Sequence, residues 1–216
     1  MIVLGVAGAG IAIGFYITGF LMSSPKAYTP AAGAGATKSV NLTIQTVAAV
    51  GPTLAPGNPT WVSYAIRDGQ GRWRHTTIWQ LPAHALVHVT IYQFDGNSGL
   101  RNPFLAKVRG TIGNTMQVNG KAETVVNPDD ASHTFAVPAL GLIVPLIGVA
   151  DNAKNQCGDA PCSLQTAHNT ITFSFRTPGK GRYRWQCFVP CAAGFLDGFG
   201  GPMQTLGFMD GFLNVV

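Results

Sequence analysis

The strongest constraint in this chain lies near its end, in the run Gly181-Arg-Tyr-Arg-Trp-Gln-Cys187-Phe-Val-Pro-Cys191, followed by Met209-Asp-Gly211-Phe-Leu-Asn-Val-Val216. Aromatic and alternating residues before Cys187 predict a strand that delivers two cysteines into a loop. The loop carries Met203 and Met209 and returns into a last apolar strand. Thiolate and thioether sulfurs are soft donors suited to copper, so this spacing makes a copper centre a candidate. A second segment, Asp130-Ala-Ser-His133-Thr-Phe-Ala-Val-Pro138, reads as a strand that offers an imidazole and stops at proline.

Together these two segments resemble the copper-bearing domain of cytochrome c oxidase subunit II and its cupredoxin relatives. His133, Phe135, Pro138, Leu140 and Gly141 match that family's His-x-Phe-x-x-Pro-x-Leu-Gly segment. Cys187 and Cys191 match the two bridging thiolates of its copper A loop, and Met209, Gly211 and Val215 match its Met-x-Gly-x3-Val ending. The resemblance runs from Val125 to the end of the chain. It implies an all-β, cupredoxin-like Greek-key β-sandwich and a ligand set of His133, Cys187, Cys191 and Met209, with Met203 as an alternative thioether. The family's second histidine is missing. Counting forward from Cys191 puts Phe195 in its place, counting back from Met209 puts Leu206 there, and residues 194–203 lengthen the loop.

Without that histidine three outcomes stay open. A remote histidine (His75, His84, His88 or His168) could replace it, one copper could bind in a sulfur-rich set, or Cys187 and Cys191 could close a disulfide across a loop that has lost its metal.

Upstream, the composition points to a β-rich domain plus an apolar segment: charged residues make up 11% of the chain, against about 25% in an average soluble domain, and 27 residues are glycine. Residues 2–22 contain no charged side chain and would make about 31 Å of helix, enough to cross a hydrocarbon core of about 30 Å. Residues 1–24 are therefore expected to form one N-terminal transmembrane helix. A signal peptide is the rival reading, disfavoured because no Lys or Arg precedes the apolar run and the run is long. Gly10 and Gly14 are four apart, a spacing that lets a neighbouring membrane helix approach closely and suggests other transmembrane subunits as partners.

Residues 25–40 are rich in Pro, Gly and Ala and read as a flexible linker, leaving 41–216 as the folded extracytoplasmic domain of a single-pass protein of the cytoplasmic membrane. Strand alternation is clear at 41–47, 61–66, 86–92 and 169–175. Residues 100–120 fit no such pattern and read as an insertion on loops. Cys157 and Cys162 read as a small disulfide loop suited to an oxidising compartment, with zinc as the rival.

Arg176, Lys180, Arg182 and Arg184 contribute to a net charge of +5 but lie in no nucleic-acid motif, so a nucleic-acid partner is not expected. No Ser-His-Asp grouping, paired carboxylates or phosphate loop stands out, which argues against an independent enzyme. Two functional readings follow. One is a structural or accessory subunit of a membrane oxidoreductase, either a respiratory oxidase or a copper monooxygenase, with a degenerate copper loop. The other is a copper-binding electron-transfer subunit that takes electrons from a donor protein.

Overall fold

The computed structural model describes residues 2–21, 27–29, 39–99, 102–191 and 201–216. Among the described residues twelve strands form two sheets: β1 (Ser39–Val47), β2 (Ser63–Arg67), β3 (Trp73–Arg74), β4 (Ile78–Leu81), β5 (Leu86–Gln93), β6 (Met116–Val118), β7 (Lys121–Glu123), β8 (Ala131–Val137), β9 (Leu142–Ile147), β10 (Asn169–Arg176), β11 (Gly181–Gln186) and β12 (Asp210–Val215). The larger sheet runs β3-β2-β1-β5-β10-β6-β7 and the smaller β4-β12-β11-β8-β9. Pairing is antiparallel except for β1 with β5 and β12 with β4. The domain is an all-β sandwich of two sheets.

In the larger sheet β5 and β10 bury alternate residues, as strands do when one face meets a core and the other meets solvent. β8 differs, since all seven of its residues are buried. A register shift between Ala131 and His133 breaks its pairing with β9, and β11 meets β8 at Gln186 and Ala136. The histidine strand therefore passes through the interior rather than along an open face.

The main core centres on stacked indoles. Trp79 and Trp185 lie 4.7 Å apart at 16°, and Tyr64 meets Trp185 edge-on at 4.8 Å. Each buried indole N–H finds an acceptor, Trp79 Nε1 on the Thr76 carbonyl at 2.9 Å and Trp185 Nε1 on the Thr77 carbonyl at 3.0 Å. A smaller cluster of Val47, Val50, Phe94 and Phe208 packs beside the disulfide that joins Cys157 to Cys162.

Most of the segment read as a flexible linker, residues 25–26 and 30–38, lies outside the described residues; at Tyr28 the N–H donates to the Ile78 carbonyl at 2.8 Å and the carbonyl accepts from Gln80 at 2.6 Å, extending the β4 edge. One expectation from the sequence is corrected. The segment read as a loop insertion supplies Leu105, Ala106, Val108 and Met116 to the main core and ends in β6. Irregular backbone hid its apolar positions from a search for strand alternation.

At the N-terminus a helix, α1 (Ile2–Tyr16), continues into a π-helical turn (Ile17–Leu21). Val6, Ile11, Ile13 and Phe15 on it are exposed. Among the described residues no helix is both long and apolar enough to cross a membrane; Met1 and residues 22–26 lie outside them.

Gly211, part of the sequence's Met-x-Gly pattern, has a steric explanation. A Cβ there would overlap the Thr77 carbonyl oxygen and lie 2.7 Å from Trp185 Nε1, so β12 can approach the indole core at this point only without a side chain. Gly211→Ala should cost about 1–3 kcal/mol, the usual penalty for overpacking a core. Chemical denaturation of the two proteins checks this, and equal midpoints would contradict it.

Candidate metal centre

Three donors converge inside the smaller sheet. His133 comes from β8, Cys187 directly follows β11, and Cys191 lies four residues further on. His133 Nδ1 is 2.9 Å from Cys191 Sγ and 3.9 Å from Cys187 Sγ, and the two sulfurs are 3.1 Å apart. All three side chains are buried, and their ligand atoms lie within 4.8 Å of one another. Neither cysteine is in a disulfide.

The backbone builds this grouping. The Cys187 N–H donates to the Met209 carbonyl at 2.9 Å, fixing the first cysteine to the entry of β12. Thr134 N–H donates to Cys187 Sγ at 3.3 Å, so the sulfur takes the place of a strand carbonyl beside β8. The Thr134 hydroxyl accepts the Phe188 N–H at 2.8 Å, which holds the chain just beyond the thiol.

Charge is unevenly shared. Burial pushes the Cys187 thiol up, but hydrogen bonding from Cys191 and the His133 imidazolium outweigh it and hold Cys187 well below the usual thiol range. Burial, first, and then the hydrogen bond and charge of the neighbouring Cys187 push Cys191 up, opposite to its partner. His133 loses from burial but gains from the Asp95 carboxylate and from Cys187, and is raised to about 9. A metal that displaced these protons would bind more weakly as pH falls.

Of the ligands expected from the sequence, His133, Cys187 and Cys191 meet. Met209 packs in the main core and contributes its backbone carbonyl to Cys187. The thioether beside the cysteines is that of Met203, whose Sδ accepts the Cys191 N–H at 3.4 Å. Met203 lies in a short helix, α2 (Gly201–Gln204), and its carbonyl accepts from Gln186 Nε2 at 2.9 Å. Phe195 lies outside the described residues. Leu206 is in a bridge to Asp210 and offers no ligand.

None of the four remote histidines reaches the centre. His75 Nε2 bonds the Ser63 hydroxyl at 3.0 Å, and its ring packs on Phe208. His84 lies at a left-handed turn (φ 56°) before β5, and His88 shares a hydrogen bond with Ser174 on the outer face of the larger sheet. His168 donates to the Thr166 carbonyl and packs against Tyr92 and Phe94. The chain has five histidines, so the centre has one imidazole.

Sequence reasoning missed Asp95. It follows β5, and its Oδ2 accepts from His133 Nε2 at 3.0 Å across 38 residues of sequence. No motif surrounds it, and only the fold brings it to the histidine.

No family model matches the sequence, and no curated protein does. Among solved structures the chain is similar to the copper protein rusticyanin, with 19% identity over 90% of this chain and 85% of that one, at a TM-score of 0.34. A second rusticyanin structure, from Thiobacillus ferrooxidans, gives 19% identity over 90% and 84%, also at 0.34. Likeness at this level does not define the fold, which rests here on the strand order and on where His133, Cys187 and Cys191 meet.

With Cys187 at 0% and Cys191 at 4% exposure, both thiols of the reduced, full-length protein should resist a bulky aromatic disulfide reagent until the chain unfolds, when both react. A thiol that reacts at once in the folded protein would contradict this packing.

Proposed function

We propose that the chain holds a single copper ion through His133, Cys187 and Cys191, with the Met203 thioether beside them, and works as a one-electron carrier on a cupredoxin-like scaffold. One observation carries this reading: one imidazole nitrogen and two sulfurs face each other within 4.8 Å in a buried pocket, while the two thiols remain free. Two thiols, an imidazole and a thioether form a soft donor set that suits copper. A binuclear centre of the copper A type needs an imidazole for each metal, and the other four histidines are not grouped with the cysteines. The stoichiometry proposed is therefore one.

When bound, copper supplies a single-electron change of oxidation state. The protein's part is to hold and shield. Packing of Cys187 and His133 in the interior excludes water, and the amides of Thr134 and Cys187 fix the first sulfur, so the donors need not move between oxidation states. Phe188, bonded directly to Cys187 and 42% exposed, carries the chain from the thiol to the surface, where a partner could approach.

The same reading places the exposed apolar N-terminal segment in the cytoplasmic membrane and the sandwich on its outer side, where the Cys157–Cys162 disulfide would persist. Because Tyr28 is tied to β4, the six peptide links from Leu21 to Ala27 would keep that sheet edge within about 20 Å of the helix end. Other transmembrane subunits and an electron-donor protein are the partners that fit this arrangement. The metal-free accessory reading is the alternative, and it requires Cys187 and Cys191 to close from 3.1 Å to the roughly 2.0 Å of a disulfide.

Copper titration of the reduced, full-length protein tests the proposal. It predicts one copper per chain with a strong sulfur-to-copper visible band in the oxidised form, both lost in Cys187→Ser and Cys191→Ser. Failure to retain copper, or uptake of two per chain, would contradict it.

A further inference from the structure

Asp95 lies where the metal centre meets solvent. A cleft of about 290 Å³ is lined by Asp95, Asn97, Ser98, Ser132, His133 and Cys191. Asp95 is not simply a surface acid. Its carbonyl accepts the Val149 N–H at 2.8 Å, and Gly96 bridges to Val149, so its backbone is joined to the loop after β9. Its side chain, 27% exposed, is held at both oxygens: Oδ1 accepts the Gly96 N–H at 2.8 Å and Oδ2 accepts His133 Nε2 at 3.0 Å.

The His133 ring therefore bridges two environments, with Nε2 on a carboxylate and Nδ1 on the sulfurs of Cys191 and Cys187. An ionised carboxylate can only accept hydrogen bonds, so the ring nitrogen that faces it must carry a proton. Once the imidazole gives up its other proton, the remaining lone pair is on Nδ1 and points at the thiols. The other tautomer, with its proton on Nδ1, would set a lone pair against the carboxylate and an N–H against the metal position.

We infer that Asp95 is a positioning residue for the metal centre: it fixes the ring orientation and tautomer of His133 so that Nδ1 is the metal-binding nitrogen. It is not itself a ligand, because the imidazole stands between its carboxylate and the sulfurs. Outer carboxylates of this kind typically change metal affinity by about 10–100-fold when removed. The inference rests on the copper reading above for its effect on binding, but the position of the proton on His133 is a property of the metal-free chain.

The test therefore has two readouts on the full-length protein in detergent. In the metal-free, histidine-labelled chain, nitrogen–proton correlation spectra, with His133→Ala identifying the resonance, should show an Nε2-bound proton protected from solvent exchange. That protection should disappear in Asp95→Ala and weaken in Asp95→Asn. Competition with a chelator should then show Cu(I) bound about 10–100-fold more weakly in both variants. Equal affinity in the variants, or a wild-type His133 whose Nε2 bears no protected proton, would overturn the inference. If wild-type protein took up no copper, the functional reading would fail, while the Nε2 proton would still decide whether Asp95 orients the ring.

Discussion

The hydrogen bond from the Thr134 amide to the sulfur of Cys187 joins the histidine strand to the cysteine loop, and much of the architecture follows from that junction. β8 must run buried along its whole length for its amide to meet a side-chain sulfur, and β11 must stop at Gln186 so that Cys187 can turn in toward it. β12 then has to lie tightly against β11. Gly211 permits that approach, and the Met209 carbonyl fixes the Cys187 amide at 2.9 Å. The indole stack under these strands gives the loop a rigid floor, since each Trp N–H is tied to a backbone carbonyl.

This arrangement creates an electrostatic imbalance. Two cysteine sulfurs and an imidazole are held together in the interior, where an unbalanced charge is costly. The protein balances part of it internally, with Asp95 and Cys187 favouring a protonated His133 and the two sulfurs in hydrogen-bond contact with each other. A cation bound among the same atoms would replace those protons, which is why the donor set reads as a binding site rather than as an ordinary buried hydrogen-bond network. Tyr64, buried beside the cysteines and donating to the Thr134 carbonyl at 2.9 Å, keeps its own proton because burial and the cysteine charges push its pKa up.

Local spacing made much of this legible in the sequence. His133, Cys187 and Cys191 stand in short patterns whose strands end at a proline or a loop, and the fold brings them together. Of the two methionines that the sequence offered, Met209 packs in the same core cluster as the cysteines, and the Met203 sulfur accepts the Cys191 N–H. Asp95 was invisible because its partner is 38 residues away and no periodicity marks it. Tyr28 and the core residues between Leu105 and Met116 were missed for a related reason: backbone that pairs by isolated bridges shows no alternation to detect.

The central claim is that one copper ion sits among His133, Cys187 and Cys191. X-ray absorption at the copper edge of the loaded, full-length protein addresses it most directly. The account predicts a nearest shell dominated by sulfur, with an imidazole contribution and no copper–copper scattering. A shell of nitrogen and oxygen alone, or a second copper at short distance, would contradict it.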